Sequence, residues 1–119
     1  MIIAIDGTTS SGKGTLAKRL AKHYGLPHLD TGLLYRAVAK AAMDAGVELK
    51  DEDACVRLAA GVRLEPFDER ELRSSGVGAA ASVVASLPAV RRALFELQRN
   101  FAQQEGGALL DGRDIGTVI

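Results

Sequence analysis

The sequence predicts an α/β fold built on a parallel sheet, and three patterns predict it. Short apolar runs at Ile2–Ile5 and Ala108–Leu110 are continuous rather than alternating, as in strands covered on both faces. A stretch rich in glycine and hydroxyl residues, Gly7 to Thr15, separates the first run from a helical periodicity. Strand, helix, strand, several helices and a last strand then follow, an order that implies parallel strands joined by right-handed crossovers.

Each element has its own justification. From Lys13 to Tyr24, Leu16, Ala17, Leu20 and Ala21 share one helical face, with Lys18, Arg19 and Lys22 elsewhere. Gly25 stands where a helix end favours a left-handed residue, and Pro27 blocks continuation. Leu26–Leu29 is a short extended segment. Asp30 or Thr31 can cap the next helix, whose face is Leu34, Val38, Ala41 and Ala42 and which stops at Gly46. Asp51 or Asp53 opens a shorter helix through Ala60, ended by Gly61. Residues 62–75 carry Pro66 and a charge cluster from Asp68 to Arg73, with little periodicity, and read as an irregular excursion. The Ala-, Gly- and Val-rich stretch from Gly76 to Ser86 suits a tightly packed helix. Pro88 fits the first turn of the following helix, where Val90, Leu94, Leu97 and Phe101 share a face up to Gln104. Gly106 and Gly107 break it, and Ala108–Leu110 forms a strand ending at Asp111.

Composition narrows the possible partners. A length of 119 residues suits about one domain of ~100–200 residues, and 47% hydrophobic with 25% charged residues is a globular balance. Lys+Arg and Asp+Glu cancel at 15 each, so no basic footprint exists for a nucleic-acid polymer or an anionic membrane. Phosphate binding must come from a local site. The single Cys55 cannot form an internal disulfide, which fits a reducing cytoplasm. The opening apolar run has no basic residues before it, ends at Asp6 and is too short to span a membrane.

The local site is legible. Gly7-Thr8-Thr9-Ser10-Ser11-Gly12-Lys13-Gly14-Thr15 follows a strand and opens a helix, the context in which backbone N–H groups wrap a phosphate at the helix's positive end. Glycines allow the close approach, Lys13 reaches the β- and γ-phosphates of ATP, and the Thr15 hydroxyl holds Mg2+. Gly14 follows Lys13, so the hydroxyl comes one place later than in the strict pattern. Gly12-Lys13-Gly14-Thr15-Leu16-Ala17 also fits a dinucleotide-binding turn, with Asp30 as the ribose acid. That turn should begin at the strand end, yet Gly12 lies well past Ile5, and it has no use for a lysine. The P-loop reading is preferred.

The Gly12-Lys13-Gly14-Thr15 version resembles that of nucleoside monophosphate kinases, including adenylate kinase. Asp30-Thr31-Gly32-Leu33-Leu34-Tyr35-Arg36 and Leu110-Asp111-Gly112-Arg113-Asp114-Ile115-Gly116-Thr117-Val118 resemble segments of bacterial cytidylate (CMP) kinases, as do Pro88-Ala89-Val90-Arg91 and Gln98-Arg99. The resemblance implies a three-layer P-loop kinase fold with sheet order 2-3-1. Residues 1–119 would be an N-terminal portion ending before the lid and last strands, and 62–86 a shortened CMP-binding excursion. It implies ATP-dependent phosphorylation of CMP to CDP, and of dCMP to its diphosphate, in cytoplasmic pyrimidine nucleotide metabolism, by a monomeric full-length protein. The segment alone would be inactive and prone to self-association. In that scheme Arg36 and Arg113 clamp the CMP phosphate beside Lys13, and Thr31 and Tyr35 line the ribose. Ser82, Arg91 and Asp114 read the cytosine edge, and Asp111 faces Mg2+ directly or through water.

Plainer readings stand beside these. Arg36 and Arg91 could be solvated surface charges, Asp114 a turn cap, and Asp111 an acceptor for nearby backbone N–H groups. Ser82 could be a small packing residue and Tyr35 an aromatic at the core edge. His23 and His28 read as structural, and Cys55 as buried on its helix. Two other functions remain open on sequence alone: another small-molecule P-loop kinase, adenylate- or shikimate-type, and a non-catalytic nucleotide-binding module. The segment at 111–114 separates them, because a sensor needs no acceptor-phosphate arginines.

Overall fold

The computed structural model describes residues 1–6, 13–62, 72 and 76–112. Three strands and five helices follow one another among them: β1 (Ile2–Asp6), α1 (Lys13–Tyr24), β2 (His28–Asp30), α2 (Thr31–Ala45), α3 (Glu52–Ala60), α4 (Val77–Ala85), α5 (Pro88–Ala102) and β3 (Ala108–Gly112). The chain divides into two compact units, Met1–Gly32 with Phe95–Ile119, and Leu33–Leu94.

The first unit holds the sheet. Its order is β1-β3-β2, with β3 parallel to both neighbours, which is the expected 2-3-1 arrangement. Every residue of β3 is buried, so its unbroken apolar run does mark a strand covered on both faces. Leu29, Leu109 and Leu110 are at most 1% exposed, each such side chain contributing about 1.5–3 kcal/mol on burial. On one face Ala17 and Ala21 of α1 pack on Leu109, with Ile3, Ile5, Leu20 and Leu26 around them.

Two expectations need correction here. Leu16 is 51% exposed, because the small residues Ala17 and Ala21, with Leu20, make the stripe that meets the sheet. The strand at Ile2–Ile5 is covered on one face only: Ile3 and Ile5 are half-buried, whereas Ile2 and Ala4 are exposed. Among the described strands β1 is an edge, paired by β3 alone, so less lies over its second face.

Helix ends follow local chemistry. Gly25 adopts φ 65° at the end of α1, where its N–H bonds the Lys22 carbonyl and that of Leu26 bonds Ala21, a Schellman closure. At the start of α2, Asp30 acts as the cap, Oδ1 accepting from the Gly32 N–H at 2.9 Å.

The second unit is helical. Leu34, Val38, Ala39 and Ala42 of α2, Cys55 and Ala59 of α3, Val84 of α4 and Val90 and Leu94 of α5 are sealed from solvent. Asp51 is the cap of α3, its carboxylate accepting from Ala54 N–H at 3.2 Å. Glu52 Oε2 accepts from the Ala89 N–H at 3.1 Å, placing a negative charge at the positive end of α5. Among the described residues, no single helix is long and apolar enough to cross a membrane.

Candidate functional site

The strand register gathers the carboxyl ends of the sheet on one edge. Asp6 pairs with Gly112, and Asp30 pairs with Asp111. The chain leaves β1 at this edge, and α1 begins at Lys13 after residues 7–12. In an open α/β sheet that edge is where ligands bind. Gly7, Thr8, Thr9, Ser10, Ser11 and Gly12 lie outside the described residues, as do Arg113 and Asp114. Lys13, Gly14 and Thr15 form the first turn of α1.

Asp111 is the centre of what the structure shows at this edge. It is 0% exposed, and a buried carboxylate requires donors. His28 Nε2–H donates to Asp111 Oδ2. The Asp111 carbonyl is held separately, accepting from Thr31 Oγ1–H at 2.9 Å. Thr31, itself 5% exposed, therefore ties the start of α2 to the end of β3. Its hydroxyl proton is committed to that bond, leaving its oxygen as an acceptor.

Four further sequence-expected residues lie in the helical unit. Tyr35 and Arg36 are half-buried on α2. Arg36 Nη1–H donates to the Leu72 carbonyl at 2.9 Å, and its guanidinium lies over Gly78: a Cβ there would stand 3.2 Å from Nη2. Ser82, exposed on α4, donates its hydroxyl to the Gly78 carbonyl at 3.2 Å. Arg36 and Ser82 thus converge on Gly78. Arg91 is exposed on α5.

The donor chemistry suits a hard divalent cation. Asp111 offers a carboxylate and Thr15 a hydroxyl, the oxygen ligands that Mg2+ takes alongside nucleotide phosphates. No group of three or more His, Cys, Asp or Glu side chains is arranged for a metal among the described residues. His28 is the residue that sequence reasoning undervalues. Its partner lies 83 positions away, and only the parallel pairing of β2 with β3, two residues out of step with the contact, brings them together.

Comparison with known proteins agrees with this geometry. The cytidylate kinase family model matches residues 3–119. Over all 119 residues the chain is 63% identical to a cytidylate kinase of Methylocella silvestris, and 61% identical to cytidylate kinases of a Methylobacterium and a Bradyrhizobium species. It covers 55%, 57% and 56% of those proteins respectively, so the chain spans about half the length of the curated relatives it matches. With a parallel sheet in the expected order, a first helix opening at the ligand edge and a family match across nearly its whole length, the chain belongs to the cytidylate kinase family.

Proposed function

We propose that the protein transfers the γ-phosphoryl group of ATP to CMP, and to dCMP, giving ADP and CDP or dCDP. The observation that carries this reading is the match to proteins named cytidylate kinase along the entire chain. The sheet order supports it, because it sets Asp111 and the start of α1 at one edge.

The chemistry asks for positioning and charge rather than a strong base. An oxygen of the CMP phosphate, already anionic, attacks the γ-phosphorus of ATP as the bond to the β,γ-bridging oxygen breaks, and ADP leaves. Residues 7–15 cradle the ATP phosphates, with Lys13 on the β- and γ-groups. Thr15 and Asp111, the latter directly or through water, would hold Mg2+, which would supply neutralisation of the charge on those phosphates. Arg36 and Arg113 clamp the CMP phosphate. Arg36 is suited to this because the Leu72 carbonyl already holds its guanidinium, which lies beside Gly78. Thr31 and Tyr35 flank the ribose. Ser82, Arg91 and Asp114 read the cytosine edge, where a carboxylate accepts from the exocyclic amine and an arginine donates to the ring nitrogen and carbonyl. The single cysteine and balanced charge support a cytoplasmic enzyme acting on free nucleotides, with no polymer or membrane partner.

The test is an acceptor panel with the full-length protein, ATP and Mg2+. CMP and dCMP should be phosphorylated in preference to UMP, AMP and shikimate. Lys13→Ala should lower turnover by about 10²–10³-fold, the scale of losing one transition-state donor. A preference for AMP or shikimate would sink the CMP reading, and survival of most activity in Lys13→Ala would remove Lys13 from its role.

A further inference from the structure

Thr31 and His28 each bond Asp111, at different atoms. Thr31 fixes the main chain of Asp111 through its carbonyl. His28 instead takes the side chain, at Oδ2. The two side chains are 19% and 0% exposed respectively, so the pair is largely withdrawn from water. His28 stands level with Leu109 in the ladder, and Asp30 stands level with Asp111. One sheet face therefore carries the imidazole and two carboxylates side by side. The Asp30 Oδ1 accepts from the Gly32 N–H, capping α2.

We propose that His28 is a positioning residue for Asp111: by holding Oδ2 it fixes the carboxylate torsion and so the direction in which Asp111 meets Mg2+ of bound ATP. The proposal rests on the reading of Asp111 as the magnesium-facing acid. An aspartate's terminal torsion is broad and roughly two-fold when nothing restrains it. A donor on one oxygen narrows that well, as outer partners do for metal ligands generally, where their loss costs about 10- to 100-fold in metal affinity or activity. A merely structural histidine, present only to satisfy a buried acid, makes a different prediction: lost stability with no selective effect on the metal.

The experiment uses the full-length protein with His28→Leu, His28→Gln and Asp111→Asn. Glutamine can present an N–H near the position of the imidazole Nε2, whereas leucine fills space without a donor. His28→Asn, polar but too short to reach Oδ2, replaces the leucine variant should that fail to fold. Calorimetry gives the ATP affinity with Mg2+ and with a chelator, kinetics give the Mg2+ requirement and the CMP KM, and thermal unfolding is followed without nucleotide. His28→Leu should weaken Mg·ATP binding and raise the half-saturating Mg2+ by about 10- to 100-fold, leaving metal-free ATP affinity and the CMP KM unchanged. His28→Gln should recover most of the loss. Equal weakening of metal-free and Mg·ATP binding, or a fall in thermal midpoint that glutamine does not reverse, would overturn the positioning role. So would a wild-type Mg2+ requirement in His28→Leu while Asp111→Asn loses its own. If Asp111→Asn keeps the wild-type Mg2+ requirement, the reading of Asp111 itself falls and the positioning role falls with it.

Discussion

Among the described glycines, Gly107 is the one whose replacement the structure constrains most tightly. It turns the chain from α5 into β3 at φ 95°, and an ideal Cβ built on it would lie 1.7 Å from the Met1 carbonyl oxygen. That oxygen is in use, accepting from the Ala108 N–H at 3.0 Å at the end of the β1–β3 ladder, where Ile2 pairs with Ala108. Gly106 provides an internal control, since it has φ 87° and a Cβ placed on it would meet nothing within 4 Å. Gly106→Ala should therefore cost only the conformational strain of a left-handed backbone, about 1–2 kcal/mol. Gly107→Ala carries the same strain and must also push Met1 aside, losing one backbone hydrogen bond worth about 1 kcal/mol. Met1 is 65% exposed, so it can move away, which limits the total to about 2–3 kcal/mol. Urea unfolding of the two variants and the wild type, with an intact N-terminus verified by mass, reads the difference. Equal losses for Gly106→Ala and Gly107→Ala would refute the close approach of Met1 to Gly107.

Three further outcomes follow from other parts of the molecule. Asp51→Ala should cost about 1 kcal/mol by removing the α3 cap, measured by urea unfolding, and Asp51→Asn should recover most of it. Burial, followed by the negative charge of Asp51, pushes the Cys55 thiol above its ordinary value. The unfolded chain therefore ionises this thiol first, and stability should fall as pH rises through and beyond the ordinary thiol range. A Cys55→Ala variant that retained the whole of this alkaline loss would exclude the thiol as its source. Asp114→Ala should reduce CMP use and narrow the preference for CMP over UMP, one buried polar partner being worth about 1–3 kcal/mol. An unchanged CMP-to-UMP ratio in kcat/KM would remove Asp114 from base reading.

Much of the fold was legible because its determinants are local. Gly25 and Pro27 end α1, Asp30 caps α2, and the unbroken apolar run at 108–110 marks the strand that lies buried at the sheet centre. The order 2-3-1 came with the resemblance rather than from periodicity. What escaped depends on contacts between distant positions. His28 carries no metal-ligand spacing and reads as an ordinary histidine until β2 is paired with β3. Gly78 reads as one small residue in an alanine-rich helix, and only tertiary placement shows the Arg36 guanidinium over it. The exposure of Leu16 was hidden for a related reason: periodicity defines a face but not how much of it a neighbouring sheet covers. The half-covered β1 shows the same limit for strands, since an apolar run reports what a strand can bury and not what is packed against it.

The central claim is that CMP accepts the phosphoryl group of ATP, and its most direct measurement follows that group. The full-length protein is incubated with Mg2+, CMP and ATP labelled in the γ-phosphoryl, and the products are separated. The account predicts label in the β-position of CDP, formed only when CMP is present and abolished in Lys13→Ala. Label recovered as inorganic phosphate at a rate indifferent to CMP, or transferred to AMP in preference to CMP, would contradict it.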